Sequence, residues 1–167
     1  MTHEEEAMNS TIRIAPVRKS INVKATPEHA FEVFTAKIDR WWPKTHGIGA
    51  SPIQQSFIEP FVGGRWYTRC EDGSEVVVGH VRVWLPGVQL VVTWEVSTAW
   101  KPDTRVAFAS EVEVCFVADA AGGTRVELEH RNFERMGAAE GEIMRSAVDN
   151  GWPGLLQLYS AAVSTGT

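Results

Sequence analysis

The run Glu140–Val163 constrains the fold more than any other stretch of the chain. Stepped at about 100° per residue, Met144, Val148, Trp152, Leu155, Leu156, Tyr159, Ala162 and Val163 fall on one apolar stripe, with Glu142, Arg145, Asp149, Gln157 and Ser160 mostly off it. A stripe of that length has to be laid on another apolar surface. Asn150-Gly151-Trp152-Pro153-Gly154 interrupts it. Pro153 has no N–H for the Asp149 carbonyl, so the run is either one kinked helix or two helices with Pro153 opening the second. The stripe keeps its phase across the break, and both versions cover the same surface.

The rest of the chain reads as strands. Val17, Ile21 and Val23 alternate with Arg18, Ser20, Asn22 and Lys24 in a first strand within 13–24. Thr26-Pro27-Glu28 then starts a short helix, with Thr26 as cap and Pro27 in its first position. A second small helical piece holds Ile38, Trp41 and Trp42 and closes at Pro43. Both pieces are too small to form a core and read as a plug for one end of something larger. After a loop of small residues (Gly47, Gly49, Ser51, Pro52), strands follow at 53–59, 65–70, 75–84, 88–96, 105–118 and 124–132, separated by turn chemistry such as Glu71-Asp72-Gly73-Ser74 and Pro86-Gly87. Val106, Phe108, Val112, Val114 and Phe116 share one face of the long strand 105–118.

Short turns between successive strands make an antiparallel meander, apolar on one face and charged on the other along its last hairpin. The fold class is therefore α+β: a strongly curved sheet of about six or seven strands wrapped around a long C-terminal helix, with two short helices after strand one. At 167 residues the chain predicts one domain, 13–167, behind a polar tail, 1–12, that contains His3-Glu4-Glu5-Glu6 and is expected to be disordered. A net charge of −5 with no Lys/Arg cluster speaks against nucleic acid as a partner. There is no apolar run of ~18 residues and no signal-peptide core, so neither a membrane span nor export is expected and the cytoplasm is the expected location. Cys70 and Cys115 lack C-x-x-C spacing and read as free thiols.

Several pieces, in order, resemble a known family: Ala25-Thr26-Pro27-Glu28-His29-Ala30-Phe31, Gly63-Gly64-Arg65-Trp66, Gly79-His80-Val81 leading to Leu90-Val91-Val92-Thr93-Trp94-Glu95, and Asn150-Gly151-Trp152. The chain is similar to the START-like, or SRPBCC, helix-grip superfamily, in the branch named after the C-terminal domain of the activator of the ninety-kilodalton heat-shock protein's ATPase. The resemblance runs from about Val17 to Val163. It implies a deep cavity between curved sheet and terminal helix, used across the superfamily for small apolar or amphipathic molecules. It also permits two other roles: a cyclase or aromatase acting on a polyketide-like substrate, and a co-chaperone-like domain with a chaperone partner. A shared fold does not carry a shared function.

Strand alternation gives an expected inward set. Trp66 and Thr68 share a face with Cys70, Trp94 with Leu90 and Val92, and Val112 with Val114 and Phe116. A last hairpin centred near Ala121 sets Val112 opposite His130 and Ser110 opposite Asn132. Ser110, His130 and Asn132 then form either the polar end of a pocket or the point where the strands leave the core for solvent. Trp66, Trp94 and Trp152 are expected toward the cavity or as core filling, and Trp41, Trp42 and Phe57 near its mouth. Trp84 has the opposite parity to Val81 and Val83 and is expected to face away. Tyr159 lies on the helix stripe with a hydroxyl that a cavity water or ligand could partner.

Enzyme signatures are thin. His3, His29, His46, His80 and His130 show no metal-ligand spacing, no Gly-x-Ser-x-Gly element is present, and Gly63-Gly64 has no following helix to cradle a phosphate. Glu111, Glu113, Glu127 and Glu129 read as a wet face. An inward His130 could act as general acid or base, yet it stands alone. No cofactor is expected, and the reading that leads is binding of a small hydrophobic or aromatic ligand by Trp66, Thr68, Trp94, Ser110, Val112, His130, Asn132, Trp152 and Tyr159.

Overall fold

The computed structural model describes residues 13–165, and the tail expected at 1–12 falls outside them. Strand β1 (Val17–Val23) is followed by helix α1 (Pro27–Phe34) and a single 3₁₀ turn, Ile38–Arg40. Strands β2 (Ile53–Ile58), β3 (Arg65–Cys70), β4 (Glu75–Leu85), β5 (Gln89–Trp94), β6 (Ser110–Ala118) and β7 (Thr124–Arg131) precede the terminal helix α2, Ala138–Thr165. The seven strands form one antiparallel sheet in the order β1-β7-β6-β5-β4-β3-β2, so the first strand closes on the last and the meander supplies the rest.

The local signals work as read. Thr26 caps α1 by accepting from the His29 N–H, with Pro27 at the start of the helix. Every residue of the predicted stripe, Met144 to Val163, is buried beneath the sheet. The break at Pro153 resolves to one continuous helix. Pro153 and Gly154 are exposed, so the carbonyl deprived of its N–H lies on the flank that water can reach. Lys19 meets Asp149 at 2.8 Å and Arg145 donates to the Ala15 carbonyl at 2.6 Å, fastening α2 to the β1 end.

Sheet curvature comes from irregular pairing. The β3–β4 register shifts between Trp66 and Tyr67, beside Gly79, where an added Cβ would stand 1.8 Å from the Thr93 carbonyl oxygen. A second shift lies between Val81 and Val83 in the β4–β5 pair. It corrects one expectation. The extra residue flips the parity after Val81, and Trp84, instead of facing away, packs edge-on against Phe31 at 4.9 Å.

Two more expectations are corrected here. The strand expected at 105–118 begins only at Ser110; Val106 and Phe108 sit in an exposed 3₁₀ turn and take no part in the apolar face. Phe57 does not approach a cavity mouth. It stacks on Tyr67 at 4.9 Å, with the Arg69 guanidinium over its ring, on the outer side of the sheet. The charged face of the last hairpin is organised about Arg131, which lies 2.8 Å from Glu111, 3.3 Å from Glu113 and 3.0 Å from Glu129. Cys70 and Cys115 are both free. Among the described residues no helix is long and apolar enough to cross a membrane.

Candidate functional site

Four tryptophans from four separate segments meet where the sheet closes on α2. Trp42 follows the 3₁₀ turn, Trp66 lies in β3, Trp94 ends β5, and Trp152 lies in α2. Trp42 is 5.1 Å from Trp66, 6.5 Å from Trp94 and 6.3 Å from Trp152, measured between ring centroids. Trp66 and Trp94 are 5.6 Å apart. The tilted and edge-on angles suit the quadrupoles of aromatic rings. This interlocked cluster leaves an inner void of about 10 Å³, bordered by Trp42, Trp66, Val112 and Trp152, which is at the lower limit for one water.

The outer side of the same cluster is open. A cleft of about 410 Å³ lies between the loop Thr45–Ile48, the ends of β4 and β5, and α2. Trp42, Trp94, Trp100 and Trp152 wall it together with Val78 and Val148. On the helix side the wall is low, because Ala147 and Gly151 stand one turn apart. A Cβ built on Gly151 meets nothing within 4 Å. Trp100 stands at the rim, 46% exposed, in a tight turn closed by Ser97 N–H to the Lys101 carbonyl at 2.9 Å. Its φ of 58° is left-handed, an uncommon conformation for a bulky side chain. Among the described residues His46 is the one titratable side chain on the walls, and it also lies edge-on to Trp42 at 6.2 Å.

The residues expected to bind ligand divide into groups. Trp94 and Trp152 line the cleft; Trp66 and Val112 border the inner void. Thr68 is buried on the same face as Trp66, opposite Ser56 in the register, and neither hydroxyl has a protein partner. Val112 pairs with His130 as expected, but Ser110 pairs with Trp94 on β5 and not with Asn132. β7 ends at Arg131, and Asn132 turns away with φ of 66°, as Asn tolerates, to start a 3₁₀ turn. The polar end of the apolar face is therefore closed by protein. Trp152 donates its indole N–H to His130 Nδ1 at 3.1 Å, and His130 Nε2 lies 2.8 Å from Ser110 Oγ. An Nδ1 that accepts leaves the proton on Nε2, so the ring is neutral. Burial pushes its pKa down to about 3. Tyr159 is likewise engaged: its hydroxyl donates to the Ala30 carbonyl at 2.7 Å, so the partner it needs is supplied by the protein.

The orphaned polar atoms tell a different story from these satisfied ones. Among the described residues, the buried side-chain donors without a partner are the indole N–H groups of Trp42, Trp66 and Trp94 and the hydroxyls of Ser56 and Thr68. Each such group costs about 1–3 kcal/mol when left dry. Elsewhere buried polar groups are paired: Trp41 donates to the Val33 carbonyl at 3.0 Å and Thr35 to the Phe31 carbonyl at 2.8 Å. Of the residues that carry these donors, Trp42 and Trp94 wall the cleft and Trp66 borders the inner void, whereas Ser56 and Thr68 line neither.

Sequence reasoning missed most of the cleft. Trp100 lies in a loop with no periodicity to give it a face. Gly151 was visible only as a weakness in a helix, although a helical glycine with no packing reason is itself a signal of space. The loop of small residues from Gly47 to Pro52 stood out, without a hint that its start, with Thr45 and His46 before it, faced a cleft.

Comparison with curated proteins gave no match. Among solved structures, the anthrahydroquino-Gama-pyrone synthase Txn09 complexed with SUM is similar at 40% identity, over 89% of this chain and 97% of that one, with a TM-score of 0.62. The self-sacrificing resistance protein CalC from Micromonospora echinospora is similar at 32% identity, over 89% and 93% of the two chains, TM-score 0.62. The Aha1 dimer from Colwellia psychrerythraea shares 16% identity over 92% and 99%, TM-score 0.63, a likeness of fold. The helix-grip architecture, the nearly complete coverage and a family match spanning residues 24–161 place this chain in the family described as Activator of Hsp90 ATPase homolog 1-like protein.

Proposed function

We propose that this chain holds a flat, largely apolar small molecule in the cleft between the loop Thr45–Ile48, the ends of β4 and β5, and α2. The observation that carries the reading is an open, indole-walled space of about 410 Å³ with a glycine floor. That volume suits a small-molecule site, and aromatic walls suit a ligand with a broad apolar face. The name of the 40%-identical relative, which speaks of fused flat rings, supports the same ligand class.

The test is a tryptophan fluorescence titration with anthracene, alongside native mass spectrometry of gently purified protein for a co-purifying small molecule. Gly151→Leu places a side chain in the cleft and is expected to weaken anthracene binding at least about tenfold with unchanged far-UV circular dichroism. Equal quenching in both proteins would remove the cleft as the site.

A second reading, a cyclase or aromatase type of enzyme, draws on the same relative being named a synthase. In it the proton carrier is His46, on the cleft wall, since His130 and Tyr159 spend their polar atoms on protein partners. Undiminished turnover of a polyketide-like substrate by His46→Ala would count against it.

A further inference from the structure

We infer that Glu95, with Thr93 and His80, positions the sheet wall of the cleft from the opposite face of the sheet and so sets the affinity for the ligand. The inference rests on the cleft reading and adds residues that do not themselves line the cleft. Trp94 and Val96 point into the cleft, so Thr93 and Glu95 turn outward by strand alternation. Outward residues of a sheet usually meet water, yet Glu95 is only 6% exposed and Thr93 is buried. The Glu95 carboxylate accepts from His80 Nδ1 at 2.7 Å and from the Thr93 hydroxyl at 2.5 Å. Thr93 Oγ1 in turn accepts the His80 backbone N–H at 2.8 Å. A buried carboxylate is costly to desolvate, and apolar packing could hold two strands as firmly. What directional bonds add is a fixed position.

These bonds stand where main-chain pairing between β4 and β5 gives out. The regular register runs from Leu85 opposite Gln89 only as far as Val81 opposite Val92. At Gly79 the Thr93 carbonyl takes the place of a Cβ, and past it the strands rejoin through Glu95 N–H to the Val78 carbonyl at 2.7 Å. The Glu95 carbonyl accepts the Asp103 N–H at 2.9 Å and Val96 pairs with Pro102, which fixes the return of the loop that carries Trp100. Val78, Trp94, Val96 and Trp100 make up the sheet side of the cleft, and all four are placed by the bonds around Glu95.

The experiment measures anthracene affinity by tryptophan fluorescence, stability by denaturant melts, and the Trp94 indole resonance, assigned through Trp94→Phe, by proton–nitrogen NMR. Trp94 lies 5.6 Å from Trp66 and 6.3 Å from Trp152, so ring currents make that resonance a reporter of the wall's position. Glu95→Ala is expected to weaken anthracene binding about tenfold and to move the Trp94 resonance. Glu95→Gln, whose amide oxygen still accepts from His80 and Thr93, should bring both back to the parent values. Thr93→Val keeps the branched shape without the hydroxyl and should repeat the loss in a milder background, with Thr93→Ser as its rescue. Val114→Ala, in the core at β6, is the control: it should lower stability and leave anthracene affinity alone. Affinity that merely tracks stability across the variants would overturn the inference while the cleft reading stands. So would a Trp94 resonance that Glu95→Ala and Thr93→Val leave in place. No anthracene binding by the parent protein would overturn both.

Discussion

His130 shows how a side chain that looks reactive in a sequence becomes structural in a fold. It is fully buried, stacked on Phe133 at 4.7 Å, and both ring nitrogens are occupied. The consequence is a dependence of stability on pH. The native ring stays neutral down to about pH 3, whereas the unfolded chain takes up the proton below the ordinary value of 6.5. The unfolded state then binds more protons, so stability is complete above that value and falls as the pH drops through the window. The slope approaches about 1.4 kcal/mol per pH unit, or about 2 kcal/mol lost by pH 5, above most carboxylate titrations. Denaturant melts at pH 7 and pH 5 should show this loss in the parent protein and a flatter profile in His130→Gln. Equal slopes would mean that the imidazole is not held neutral. The glutamine variant should also be less stable at pH 7, since the Trp152 N–H and Ser110 hydroxyl lose a fitted partner.

Helix α2 serves two ends that oppose each other. As a stripe of buried residues it holds the concave sheet face, and as a wall it must stay thin where the cleft passes. Gly151 is the compromise: in a helix interior glycine costs roughly 0.5–1 kcal/mol relative to alanine, and here no neighbour needs the missing Cβ. Gly151→Ala is therefore expected to raise thermal stability by about that amount while reducing affinity for a cleft ligand. A variant more stable and equally good at binding would show that the glycine is not kept for the space. Gly79 is the contrast, since the Thr93 carbonyl occupies the place of its Cβ and any larger residue would force β4 from β5. One glycine makes room for something else; the other is filled by the fold itself.

Across the whole molecule, the sheet is anchored at its centre and loosened at one edge. β6 is paired on both sides, by β5 and β7, and its inward residues Val112 and Val114 are almost wholly buried. Among the described residues β2, like β1 at the other edge, has a single strand partner, β3. Hydrogen exchange should accordingly find the slowest amides in β6 and β7 and markedly faster ones in β2, next to the loop that lines the cleft. Uniform protection across the sheet would instead describe a single cooperative unit with no softer side. The elements themselves were legible from Val17 to Val163, because period, caps and turn residues act over a few positions and are written locally: the α2 stripe, the Thr26 cap and the Val112–His130 register needed nothing distant. Trp84 and the 105–109 segment escaped, since a bulge or a 3₁₀ turn changes parity without changing composition. The cleft escaped for a deeper reason. Whether an indole fills space or borders it depends on the gap left when Trp42, Trp94 and Trp152, from three distant segments, pack together with Trp100 at the rim. Local patterning determined that a curved sheet would grip a helix; only the distances of tertiary packing decided where the grip stays open.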